Sequence, residues 1–296
     1  LEKALTPEGF AEKVEAEWQH IKESPTRLTP EAIQRIQGYF TEPDYAAIDN
    51  ATDLLASQRF ENRGFDQWLT HNVDTHKKAG YAIVSLTMKK TGTPPGDVSD
   101  KQLEQIADLA DEFSFGEIRV THQQNVVLAD VRQDRLFELW QAITPMGFGT
   151  ANLNTLTDVI CCPGGDYCAL ANAKSIPVAE AIQRQFDDLD YLYDLGNIDL
   201  NISGCMNACG HHHVGNIGVL GVDKKGQEFY QISLGGSSHH DASIGKILGP
   251  SFARDEMPKV ISKIIDVYVD KRTEEETFLD TYRRVGIDPF KERVYA

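Results

Sequence analysis

Cysteine is scarce in this chain of 296 residues: there are five, all between positions 161 and 209. A small secreted domain stapled by disulfides would spread them through a much shorter chain, so that class is excluded. Long apolar runs are missing as well. None approaches the roughly 20 residues needed to cross a bilayer, and no membrane association is expected. Basic residues are outnumbered, 29 against 45 acidic, for a formal net charge of −16. Such a field repels nucleic acid and anionic lipid, so any anionic ligand must be held by local chemistry. No tandem repeat or low-complexity tract is present. The opening LEKALTPEGF has neither an initiator Met nor the basic and apolar regions of a secretory signal. It reads as the start of an excised fragment, and the cysteine usage points to a cytoplasmic protein with a metal or redox site.

What is there is an ordinary globular composition, 41% hydrophobic and 25% charged. Phe10, Val14, Trp18 and Ile21 recur at helical spacing behind Thr6 and Pro7, which predicts an amphipathic helix over 7–23. Thr29-Pro30 starts a second helix carrying Ile33, Ile36 and Phe40, closed by Pro43 before a mixed polar stretch. Residues 1–75 read as a helical arm or linker that packs against a neighbouring lobe. From Tyr81 the period becomes that of a strand, in YAIVSLTMKK, followed by a helix opened by the capping box Ser99 and Gln102. Two strands, EIRVT and NVVLADV, and a helix with Leu136, Leu139, Trp140 and Ile143 complete a β-α-β-β-α order. Residues 76–152 are therefore expected to form a ferredoxin-like half domain. Beyond it, TDVI, NIDLNIS, NIGVLGV and FYQISLGG alternate with helices near 176–187 and 257–271, which predicts an α/β lobe over 153–296 and an α+β fold overall.

Cys162 and Cys168 bracket CPGGDYC, and Cys205 and Cys209 lie in GCMNACG. Four thiolates in Gly-flanked pairs suit a 4Fe-4S cube, because glycines let the backbone approach the sulfides and offer amide hydrogen bonds. A four-cysteine zinc site uses the same ligands but favours gaps of two to four residues, and four buried free thiols are the bland alternative.

The pattern C-x5-C followed by C-x3-C resembles the signature of sirohaem-containing nitrite and sulfite reductases. GEIRVTHQQNVVLADV is similar to the second ferredoxin-like half of that family, and TDVICCPGGDYC through KERVYA to its C-terminal lobe. The resemblance implies that Cys162, Cys168, Cys205 and Cys209 hold a 4Fe-4S cluster and that Cys209 also bridges it to the sirohaem iron. Cys161 falls outside the pattern and reads as a buried neighbour. The resemblance further implies a six-electron reduction of sulfite or nitrite, an electron donor that is a flavoprotein or a ferredoxin, and a missing N-terminal half that supplies most of the cations for the anion and the sirohaem carboxylates. The chain alone is then expected to be inactive; a non-catalytic iron-sulfur electron-transfer module is the alternative. Thr121, Gln124 and Asn125 sit in a turn that faces the cofactor region in the family, Asn207 lies inside the second cysteine loop, and His211 follows it, with His212 and His213 adjoining. Lys174, next to the first loop, is the best of the cationic candidates. For Lys174, Lys89, Lys90 and Arg119 a solvated surface position is the default reading, and for the histidines, His239 and His240 included, a structural one.

Overall fold

The structure, a computed structural model, describes residues 6–24 and 28–296, so residues 1–5 and 25–27 lie outside it. The chain divides into two compact units, 1–47 and 48–296. In the first, α1 (Pro7–Ile21) and α2 (Pro30–Gln37) begin at the two Thr-Pro pairs. Thr6 Oγ1 accepts from the Gly9 N–H (3.1 Å) and Thr29 Oγ1 from the Ala32 N–H (3.2 Å). Each proline occupies the first helical position, where a missing N–H leaves no bond unmade. Phe40 lies past the end of α2 rather than on its face. Neither helix buries a residue.

The second unit opens with two helices inside the stretch read as polar arm, α3 (Thr52–Glu61) and α4 (Arg63–Asn72). Phe65 and Trp68 on α4 are fully buried in the core of the sheet that follows. This burial joins residues 48–75 to the ferredoxin-like half, and the first unit ends at residue 47. The sheet contains β1 (Val73–Thr75), β2 (Tyr81–Leu86), β3 (Arg119–Val120) and β4 (Val126–Arg132), in the antiparallel order β1-β2-β4-β3. Between β2 and β3 runs α5 (Asp100–Phe113), whose capping box forms as expected: Ser99 Oγ accepts from the Gln102 N–H, and Gln102 Oε1 accepts from the Ser99 N–H. After β4 comes α6 (Leu136–Met146). Ile106, Leu139 and Ile143 from the two helices meet Val84, Leu86 and Leu128 from the sheet in one core.

The following lobe is a six-stranded mixed sheet. Its strands are β5 (Ile160–Cys161), β6 (Leu200–Ser203), β7 (Ile217–Lys224), β8 (Gln227–Leu234), β9 (Lys246–Ile247) and β10 (Phe252–Ala253). The order is β10-β8-β7-β6-β5, with β9 also on β8; β5, β6 and β7 run parallel and the remaining pairs antiparallel. Two helices, α7 (Ile176–Gln185) and α8 (Leu189–Leu195), form the crossover from β5 to β6. The long α9 (Met257–Lys271) lays Val260, Ile261, Ile264 and Tyr268 into the core, and α10 (Phe278–Val285) and α11 (Asp288–Tyr295) close the chain against it. Because β5 and β6 are parallel neighbours, the chain leaves both at the same edge of the sheet, where open α/β sheets form their crevices. Cys162 follows β5 and Cys205 follows β6 by two residues.

Candidate cluster site

The two cysteine loops are sewn together by their main chains. Cys162 N–H donates to the Ile202 carbonyl (3.1 Å), and the Asn172 and Ala173 N–H groups both donate to the Gly204 carbonyl (2.9 and 3.1 Å). Gly204 N–H donates to Cys162 Sγ at 3.0 Å, and Ser175 Oγ lies 3.5 Å from the same sulfur. Such closeness is possible because Gly164 and Gly204 cross: a Cβ on Gly204 would stand 2.8 Å from Gly164 Cα and 2.7 Å from the Ala173 carbonyl oxygen. Gly164 also has φ +58°, a conformation that side chains other than glycine's rarely adopt.

Exposure grades across the four thiols. Cys162 and Cys205 are buried, Cys168 is half-buried and Cys209 is exposed. The neighbouring Cys161 is different. Successive side chains of a strand point to opposite faces, and Cys161 is turned into the hydrophobic core while Cys162 meets Gly204. Burial pushes the Cys161 thiol's pKa up, and its S–H donates to the Cys162 carbonyl (3.2 Å). That is a structural thiol, in line with its reading as a buried neighbour.

The donor set fits an iron-sulfur cube. It has four thiols on two loops, an N–H already directed at a sulfur, and glycines where backbone must approach. Among the described residues no three His, Cys, Asp or Glu side chains converge on one ion-sized point.

The remaining candidates fall in three groups. Thr121, Gln124 and Asn125 are brought to the cluster lobe, where they bind protein groups. Thr121 closes its own turn, its Oγ1 accepting from the Asn125 N–H (3.1 Å). Gln124 pairs with the main chain of Cys161 through two bonds of 2.8 Å, and Asn125 Nδ2 donates to Asp158 Oδ1 (2.9 Å) while its Oδ1 accepts from the Met88 N–H (3.0 Å). Lys174 is part-exposed and pairs with Asp166 of the first loop at 3.0 Å. Asn207 and His211 are exposed beside Cys209. His211 takes φ +54°, and its carbonyl accepts from Asn201 Nδ2 (3.0 Å). His212 is buried with Nδ1 unpaired, and burial first, then His213 beside it, lowers its pKa from 6.5 to about 4. His239 is mostly exposed, 3.7 Å from Asp199.

Lys89 departs from its expected solvated position. It is fully buried, and its ammonium donates to the Gln123 carbonyl (2.6 Å), the Val159 carbonyl (2.9 Å) and Asp158 Oδ1 (3.3 Å). Burial lowers its pKa and Asp158 opposes that. Three donors meet three acceptors, so the charge is fully satisfied. Arg119 and Lys90 do face solvent, Arg119 pairing with Glu117. Ser175 and Asp158 were not singled out in the sequence. The run ANLNTLTD just ahead of the cysteines, rich in polar residues yet largely buried, is the signal that marks Asp158.

Residues 86–146 match the nitrite/sulfite reductase ferredoxin-like half domain, and residues 153–296 match the nitrite and sulphite reductase 4Fe-4S domain. The chain belongs to the nitrite and sulfite reductase family. Among its relatives, a sulfite reductase [ferredoxin] 2 of Mycolicibacterium paratuberculosis is 29% identical over 206 residues, covering 66% of this chain and 37% of that one. A ferredoxin-nitrite reductase of Synechococcus elongatus is 28% identical over 202 residues, covering 65% and 37%. The structure of the Mycobacterium tuberculosis NirA protein superposes with a TM-score of 0.61 at 26% identity, over 74% of this chain and 41% of that one. Dissimilatory sulfite reductase I shares the fold, with a TM-score of 0.59 at 16% identity, over 73% of this chain and 69% of that one. The chain thus spans 37% of the length of the first two relatives. Membership agrees with the α+β architecture and with the family's cofactors, a 4Fe-4S cluster and sirohaem. No helix among the described residues is long and apolar enough to cross a membrane.

Proposed function

We propose that the chain is the cluster-bearing C-terminal portion of an enzyme that reduces sulfite to sulfide, or nitrite to ammonia, by six electrons. Cys162, Cys168, Cys205 and Cys209 hold a 4Fe-4S cluster, and Cys209 is shared with sirohaem. When bound, this pair supplies one-electron transfer to a metal that takes the oxyanion. The observation that carries the reading is the joining of the two cysteine loops at adjacent parallel strand ends, with Gly204 N–H on Cys162 Sγ. The gradient of exposure supports it further: buried Cys162 and Cys205 shield the cluster from water, and exposed Cys209 is open to a group outside the lobe.

The chain's own residues divide the remaining work. Gly204 donates its N–H to the Cys162 sulfur and so holds it in a fixed direction between the two loops. Lys174 and Asp166 cancel one another at the mouth of the first loop, which leaves little cationic charge there for an anion. The cations that would bind sulfite or nitrite and the carboxylates of sirohaem therefore come from an N-terminal half outside this chain, and this polypeptide alone has no turnover. The electron donor is a ferredoxin or a flavoprotein, and the enzyme works in the cytoplasm. Assay with a chemical reductant and each oxyanion tests the division of labour: the complete enzyme turns over, loses activity on Cys209→Ser, and this chain alone is silent. Turnover by the chain alone contradicts it.

A further inference from the structure

Among the described residues β5 is the edge strand of its sheet, paired on one side only, with β6. The next residue along the chain faces β6: Cys162 N–H donates to the Ile202 carbonyl. The alternation of strand hydrogen bonds then points the N–H and C=O of Cys161 away from the sheet, as an unpaired edge. The structure fills that edge with one side chain. Cys161 N–H donates to Gln124 Oε1 and Gln124 Nε2 donates to the Cys161 carbonyl, each at 2.8 Å. A carboxamide presents the same donor and acceptor as a peptide, so Gln124 stands in for the missing strand.

Gln124 is itself held firmly. It takes φ +60°, and its N–H donates to the Thr121 carbonyl (3.1 Å). On one side the preceding carbonyl, Gln123's, receives the buried Lys89 ammonium; on the other Asn125 is bonded to Asp158 and Met88. The turn is fastened both to the end of β2 and to the segment entering β5.

We propose that Gln124 is a positioning residue for the cluster: by completing the open edge of β5 at Cys161 it fixes the direction in which the next residue, Cys162, presents its sulfur. This rests on the reading of Cys162 as a cluster ligand. Gln124 acts through the Cys161 peptide and touches no ligand sulfur.

The test compares the wild-type chain with Gln124→Met, which keeps the length and bulk of the side chain and removes both bonds. Gln123→Met, which keeps the main-chain carbonyl that meets Lys89, is the control. In the cluster-free chain, alkylation of Cys162 by iodoacetamide is expected to run roughly tenfold faster in Gln124→Met, since two hydrogen bonds no longer oppose local opening. In the chain loaded anaerobically with iron and sulfide, the EPR spectrum of the reduced cluster is expected to change shape at unchanged iron content, while the control overlays the wild type. Equal alkylation rates overturn the proposal, and so does a faster rate with a superimposable spectrum. If the wild-type chain takes up no iron, the cluster reading fails, and the alkylation rates still decide whether Gln124 fixes the Cys162 sulfur.

Discussion

Gly204 has no room for a methyl group. The atoms such a group would meet belong to backbone, at Gly164 Cα and the Ala173 carbonyl, and neither moves without parting the cysteine loops. Gly204→Ala is expected to destabilise the fold by about 1–3 kcal/mol, read as a lower urea midpoint at unchanged slope. Lys89 gives a larger effect, because Lys89→Met leaves the Asp158 carboxylate buried without its cation. A loss of about 3–5 kcal/mol is expected in the same experiment, and adding Asp158→Asn recovers part of it. His212 sets a pH dependence. Its folded pKa, about 4, lies below the ordinary 6.5, so between those values the unfolded chain binds a proton that the folded chain does not. Stability contributed by the neutral ring is full above pH 6.5 and is lost as the pH falls towards 4. Comparing urea midpoints of the wild type and His212→Gln across this range should show the wild type falling more steeply. At this scale the sequence was uneven. The four cysteines stand out through spacing and flanking glycines, and the structure brings their loops together. The partners of Lys89 and Gln124 could not be read, although Gln124 was a candidate, because a lysine on a strand end and a glutamine in a turn have the same local pattern whether they meet water or a buried main-chain group across the fold.

Among the secondary-structure elements, those with a chemical start signal were the readable ones. Thr6-Pro7, Thr29-Pro30 and the Ser99/Gln102 box each open a helix where expected, since the capping bond is local and needs no partner from elsewhere. α4 was hidden. Its buried residues are Phe65, Trp68 and Asn72, a narrow stripe on a polar helix, and its burial comes from a sheet formed later in the chain. β5, two residues long, is defined by its parallel partner and by Gln124 rather than by any period of its own. The division at residue 47 leads to a prediction for these elements. Neither α1 nor α2 buries a residue, so a chain beginning at Ile48 should unfold in one cooperative transition with its midpoint within about 3 °C of the whole chain's. A broad or much lower transition in calorimetry would show that the helical unit supports the rest.

For the molecule as a whole, charge and coverage say the same thing. A net charge of −16 suits neither a bound oxyanion nor a tetrapyrrole bearing many carboxylates, and the chain matches just over a third of its reductase relatives. What it does contain is a scaffold in which the ferredoxin-like half, through Lys89, Gln124 and Asn125, grips β5 and the residues just before it, which lead into the first cysteine loop. The most direct measurement is a count of iron, acid-labile sulfide and zinc, with a visible spectrum, on the chain reconstituted anaerobically. Wild type is expected to hold about four irons and four sulfides per chain, and Cys205→Ser to lose them, as a cube ligated by these cysteines requires. A wild-type chain that stays iron-free, binds zinc instead, or keeps its full iron in Cys205→Ser contradicts the account.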